Sequence, residues 1–153
     1  MCRSVFQKTG HGEYCCMEQS TGYEKKLITL KLALESFEKA MSVDLSGLGD
    51  IEKDTMKNGQ IQKFEISIEL FWKTMKKFLH DIHGIETVSP KMTIKQLYMT
   101  KYTDEKNYET LLGMINDRNR MSHIYSEEQF SEIYNRLSEY LSLMQRTVTK
   151  IKT

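Results

Sequence analysis

The chain has 153 residues, 39% hydrophobic and 28% charged, with a single proline; this is the length of one domain that buries its own core without staples. Lysine and arginine number 22 against 21 aspartates and glutamates, a formal net charge of +1, which excludes a whole-surface electrostatic grip on nucleic acid and leaves only local basic patches. No stretch approaches the roughly 18 apolar residues of a membrane span. The opening text MCRSVFQKTGHGEYCCMEQ lacks the apolar centre of a secretory signal, so a cytoplasmic protein that engages no membrane is expected.

Residues 1–20 carry no hydrophobic period and hold Gly10 and Gly12, so they are expected to form a flexible arm outside a domain spanning 21–153. Cys2, Cys15 and Cys16 are odd in number and two are adjacent. That pattern fits neither a disulfide framework nor a metal knuckle and reads as reduced thiols.

The first helix is expected from Thr21, where Thr21-x-x-Glu24 has capping-box spacing. Leu27, Leu30, Leu34, Phe37 and Met41 then recur at steps of three and four, as an apolar stripe ending near Val43. Ser46-Gly47-Leu48-Gly49 breaks it. A second helix follows the same step through Ile61, Phe64, Ile68, Phe71, Met75, Phe78 and Ile82, with His80 and His83 in its last turn and Gly84 as its C-cap. Ser89-Pro90 opens a short third helix carrying Ile94, Leu97 and Tyr98.

A fourth helix is expected from about Asp104 to Ile124. A fifth runs from Ser126 through Phe130, Ile133, Leu137, Tyr140, Met144, Val148 and Ile151. Nothing alternates with period two for long enough to make a strand. The expected fold is therefore all-α: an antiparallel up-and-down four-helix bundle with an extra short helix.

One segment breaks the patterning. On helix four, Tyr108, Leu111, Leu112 and Ile115 define the apolar arc, and Arg118 falls inside it. An arginine there is costly unless a charge partner or an interface receives it, and such conflicts mark functional sites. A purely structural alternative pairs Arg118 with Glu65 or Glu69 of helix two. Asn119 and His123 share a face near the margin of the arc, and His123 also suits the negative end of the helix dipole. Ser126-x-x-Gln129 is a second capping box, which makes Tyr125 and Phe130 a hydrophobic staple.

Arg118-x4-His123-x-Tyr125, with Asn119 after the arginine, matches the R-x4-H-x-Y signature of HEPN domains. IQKFEISIELFWKTMKKFL (61–79), SPKMTIKQLY (89–98) and LLGMINDRNRMSHIYSEE (111–128) resemble the nucleotidyltransferase substrate-binding proteins of that group, in order and over roughly residues 24–150. The resemblance implies a helical bundle, usually a homodimer, and a separate minimal nucleotidyltransferase (MNT) as partner. It also implies one of two functions. The first is a metal-independent RNA endonuclease of an MNT/HEPN toxin–antitoxin pair, silenced by AMP transfer to Tyr125. The alternative is a non-catalytic substrate- or nucleotide-binding subunit of a two-component nucleotidyltransferase.

The residues suit the first chemically. His123 can exchange protons near neutral pH. Arg118 is a permanent cation with a planar donor fork, suited to charge growing on phosphate. Asn119 could orient His123 or donate to a phosphate oxygen. Arg118 and His123 lie about 140° apart on one helix wheel, so a composite site across a dimer axis is favoured, unless fraying of the helix before Ser126 reorients His123.

Glu65, Glu69, Lys73 and Arg120 are the candidate contacts to nucleotide or partner. Glu69 and Lys73 alone read as a helix-surface ion pair. Lys73, Lys76, Lys77, Arg120, Lys91 and Lys95 could guide RNA or simply form a solvated basic face. Trp72 reads as core or interface packing. His80-x-x-His83 has metal-ligand spacing without an evident third ligand, so no metal and no cofactor is expected. The chain has no Gly-rich phosphate loop and no glycine–serine motif with paired aspartates, so it should not itself transfer nucleotides.

Overall fold

The computed structural model describes residues 22–124 and 126–151. The expected N-terminal arm, the three cysteines, Thr21 and Tyr125 therefore lie outside the described residues. Six helices follow in order: α1 (Gly22–Met41), α2 (Asp50–His83), α3 (Pro90–Met99), α4 (Glu105–Met121), α5 (Glu127–Tyr134) and α6 (Leu137–Ile151). The described residues contain no strand, and no helix among them is long and apolar enough to cross a membrane.

α1 and α2 run antiparallel. The Thr74 hydroxyl lies 3.4 Å from the Lys26 carbonyl near one end, and Gln60 Nε2 donates to the Ala40 carbonyl at 2.7 Å near the other. Asp81 reaches across to accept the Tyr23 backbone N–H at 3.1 Å, so a side chain of α2 satisfies an orphan donor in the first turn of α1. Burial pushes the Asp81 carboxyl up, but hydrogen bonds from Lys77 and His80 outweigh it and hold the group below the usual aspartate range.

The core is the predicted stripes brought face to face. Leu30, Phe37, Phe64, Phe71, Met75, Leu97, Leu111, Met114 and Met144 are fully or almost fully buried. The Phe64 ring bridges α1 and α6, against Phe37 at 6.2 Å and stacked on Tyr140 at 5.8 Å. α4 packs on α6, α2 and α3, which leaves α3 as the short additional helix beside a bundle of α1, α2, α4 and α6.

Two boundaries fall where the sequence placed them. Gly84 caps α2 with φ +65°, the left-handed conformation that glycine adopts at least cost. Ser89 caps α3, accepting from Met92 N at 3.3 Å, with Pro90 in the first turn.

Other boundaries differ. α2 begins at Asp50, eleven residues before Ile61, and Glu52 folds back to accept the Gly49 N–H at 2.8 Å. This first stretch shows little apolar period because it packs little: Ile51 is 85% exposed. Ile82 and Tyr98, expected on core stripes, are exposed. Tyr98 instead stacks on Tyr108 of α4 at 4.8 Å.

The expected fifth helix is two. Asn135 still bonds back four residues to Ser131, but Arg136 N bonds only three residues back, to Ile133, tightening the chain between α5 and α6. Tyr134 is fixed at this joint by a hydrogen bond from its hydroxyl to Gln60 Oε1.

Candidate functional site

Asp104 opens α4 by accepting the Asn107 N–H at 2.8 Å. The helix ends at Met121, three residues short of the expected Ile124. Ser122 is its C-cap, and His123 N bonds the Arg120 carbonyl at 2.9 Å as the chain turns. Ser126 then caps α5, its hydroxyl accepting Gln129 N at 3.3 Å. The R-x4-H segment therefore begins in the last turn of α4, and its histidine sits in the turn that follows. His123 is freed from the helical wheel on which its direction was first estimated.

That turn encloses a cavity of about 470 Å³ lined by Asn116, Asn119, Arg120, His123, Ile124 and Gln129. Three candidates, Asn119, Arg120 and His123, share it. Arg118 does not line it. Its guanidinium turns toward α2, where Nη2 lies 3.6 Å from Glu69 Oε2, and Nη1 donates to Asn119 Oδ1 at 3.3 Å.

The arginine does not sit in the core, as the apolar arc implied. Its side chain is 45% exposed, because α4 ends three residues later and the long stem carries the charge out to water. Of the two carboxylates offered as partners, Glu69 takes the ion pair. Glu65 lies one turn earlier on α2, half-buried.

Glu69 also accepts from Lys73 Nζ at 2.8 Å and from the Trp72 indole N–H at 3.0 Å. The Lys73 hydrogen bond first, then those of Trp72 and the Arg118 charge, hold the Glu69 carboxyl below its usual range against the opposing effect of burial. Trp72 is half-buried and anchored through its N–H.

Beneath the cavity lies a residue that the sequence reading passed over. Asp117 is 4% exposed. Its Oδ2 accepts Arg136 Nε at 2.8 Å, Arg136 Nη2 at 2.7 Å and the Tyr140 hydroxyl at 2.6 Å, and its Oδ1 lies 3.4 Å from Arg120 Nη1. Arg120 is shared with Glu132 of α5, also at 3.4 Å.

The carboxylate therefore joins α4 to the start of α6 and steadies one cavity wall. Burial disfavours the Arg136 charge, yet Asp117 more than compensates and raises its pKa. Burial and the donated hydrogen bond raise that of Tyr140 well above the ordinary phenol. The signal was present but divided. Arg136 and Tyr140 are four apart on one face, while their acceptor stands directly before Arg118 and is hidden by it in the text.

The two histidines of α2 part company. His80 reaches Asp81 at 2.9 Å and Glu86 at 3.1 Å, whereas His83 Nε2 lies 3.1 Å from the Tyr102 hydroxyl. Among the described residues, no group of three or more histidines, cysteines or carboxylates is placed to hold a metal ion.

The all-helical bundle is the fold of nucleotidyltransferase substrate-binding domains. Residues 25–153 match the family described as nucleotidyltransferase substrate binding protein like, and the chain belongs to that family. Solved structures share the fold, among them the following three. A Thermus thermophilus protein is 27% identical, with a TM-score of 0.65 over 86% of this chain and 99% of its own. A Haemophilus influenzae structure, described as revealing the fold of a substrate binding domain of a nucleotidyltransferase, is 22% identical, with a TM-score of 0.69 over 83% and 99%. A tri-AMPylated Shewanella oneidensis HEPN toxin, in complex with an MNT antitoxin, is 16% identical, with a TM-score of 0.66 over 85% and 96%. No curated protein matches the sequence.

Proposed function

We propose that this chain is a HEPN-type RNA endonuclease that needs no metal, acts as a homodimer, and is restrained by a separate minimal nucleotidyltransferase that transfers AMP to Tyr125. One observation carries the reading: Asn119, Arg120 and His123 line a single cavity at an open helix end. His123 removes the proton from a ribose 2′-hydroxyl, and the oxygen attacks the adjacent phosphorus. The bond to the 5′-oxygen breaks and that oxygen takes a proton from water, whose hydroxide recovers the proton held by His123; the products are a cyclic phosphate and a 5′-hydroxyl end. Arg120 and Asn119 hold the phosphate oxygens. Arg118, aimed away from the cavity in its own chain, is supplied to the partner copy's phosphate. The likeness in fold to an AMPylated HEPN toxin held by an MNT antitoxin supports the restraint. A bulky anion on Tyr125 would oppose a second anion beside the same turn.

The test is cleavage of RNA by purified, unmodified protein in EDTA. His123→Ala and Arg118→Ala should each lower the rate by about a hundredfold. Equal activity in all three proteins, or none in any, refutes the nuclease.

A second reading, a non-catalytic substrate-binding subunit of a nucleotidyltransferase, is favoured by the contact of Arg118 with Glu69, away from His123. That reading expects nucleotide binding by the pair of proteins without RNA cleavage.

A further inference from the structure

A second cavity, of about 380 Å³, lies along α2 where it faces the start of α1, lined by Lys26, Trp72, Lys73, Lys76, Lys77, His80 and Glu86. Its lining is unusual for a chain of net charge +1. Four ammonium groups and the only tryptophan of the sequence converge there, opposed by one lining carboxylate. Two of the lysines are committed along α2, Lys73 to Glu69 at 2.8 Å and Lys77 to Asp81 at 2.7 Å. Glu86 faces His80 at 3.1 Å. Lys26 and Lys76 form no ion pair among the described residues, so lysines outnumber carboxylates in the lining.

The indole is held in place at its N–H by Glu69, and that carboxylate is the one that meets Arg118. Trp72, Lys76 and His80 thus follow one another at four-residue steps along one face of α2, and Arg118 of α4 meets the start of that run at Glu69. The run from Glu69 to His80 is about 16 Å at the helical rise.

We infer that this α1–α2 groove is a binding track for single-stranded nucleic acid, its lysines holding phosphates and Trp72 stacking a base. Cations along a groove with an aromatic wall are what a sequence-tolerant strand site requires: the charges follow the backbone, and the ring accepts any base. An acidic peptide would use the lysines but has no use for the indole. The track extends the proposed nuclease, because its end at Arg118 is the edge from which the motif begins. The binding itself does not depend on cleavage.

The single tryptophan makes the test direct. His123→Ala protein, full-length and folded, is titrated with a short single-stranded RNA while Trp72 fluorescence is followed. Quenching is expected. The slope of log Kobs against log salt should fall by about 1.4 in magnitude in Lys26→Gln/Lys76→Gln, since each lost phosphate contact removes about 0.7 from a single-strand slope. Trp72→Leu, followed by anisotropy of labelled RNA, should weaken binding about tenfold.

Unchanged affinity and slope in both variants overturn the track. So does quenching by ATP or by polyglutamate as tight as by RNA. Binding that persists in protein without RNA cleavage supports the track and counts only against the nuclease, so the two readings can fail separately.

Discussion

Replacing Asp117 by asparagine removes one charge from beneath the candidate site and changes almost no volume. In the native protein the carboxylate takes two hydrogen bonds from Arg136 and one from the Tyr140 hydroxyl, with Arg120 at longer range. An amide can still accept from Tyr140, but it turns a donor toward one of the cations. Losing a charged acceptor costs about 1.5–3 kcal/mol for a buried pair. The Arg136 side chain is 38% exposed, so water screens part of its share and the lower half of that range applies to it.

Adding about 1 kcal/mol for the weakened bond of Tyr140, which is 2% exposed, the expected loss is roughly 3 kcal/mol. In a domain of this size that lowers Tm by roughly 10 °C. The assay is urea denaturation with Asp117→Asn, Tyr140→Phe and the double variant. The cycle should give a coupling of about 1–2 kcal/mol between the two sites. A loss under about 1 kcal/mol with an unchanged m-value, or a coupling near zero, would show that the carboxylate does not hold α4 to α6.

Three further outcomes follow from the contacts. Arg118→Ala should leave stability within about 1 kcal/mol of wild type, because its ion pair with Glu69 is long and nearly half exposed; a larger loss by calorimetry would place the arginine in the fold rather than the site. Ser67 Oγ is buried without a hydrogen-bond partner among the described residues, so Ser67→Ala should raise stability by about 1 kcal/mol, and a destabilised variant would reveal a hidden acceptor. Asp81 has a depressed pKa in the folded state. Its contribution is therefore present above the unfolded aspartate value near 3.9 and is lost as pH falls through the lower folded value. Hydrogen-exchange protection at the start of α1, taken relative to the intrinsic rate at each pH, should fall below about pH 4 in wild type and be low already at neutral pH in Asp81→Asn; an equally protected α1 in the variant would refute the link.

Most of the fold was legible because burial leaves a period. Leu27 to Phe37, Ile61 to Phe78, and Ile133 to Ile151 read directly as core stripes, and all of these segments pack as read. What escaped was structure that buries little. Residues 50–60 form three turns of α2 on capping and local polar contacts such as Asn58 to Asp54. The tightening at Arg136 leaves no mark in hydrophobicity at all. The site was legible in part for the same reason. R-N-R-M-S-H announced itself as a local text, and Asn119, Arg120 and His123 do share a cavity. The residue that supports it is bound to partners 19 and 23 positions away, and a pattern read along one helix cannot see such a contact.

The direction of Arg118 matters most for how the proposed site would be completed. An exposed guanidinium 3.6 Å from a carboxylate that already receives Lys73 and Trp72 is held weakly, worth about 1 kcal/mol or less. A phosphate offers the same fork a closer, two-pronged contact of roughly twice the strength of a neutral hydrogen bond. Glu69 keeps its lysine and its indole if the arginine leaves, so no buried charge is stranded by the exchange. Arg118 is therefore poised rather than locked. A ligand bridging the end of α4, whether bound to one copy or across two, needs to move one exposed side chain and nothing of the core.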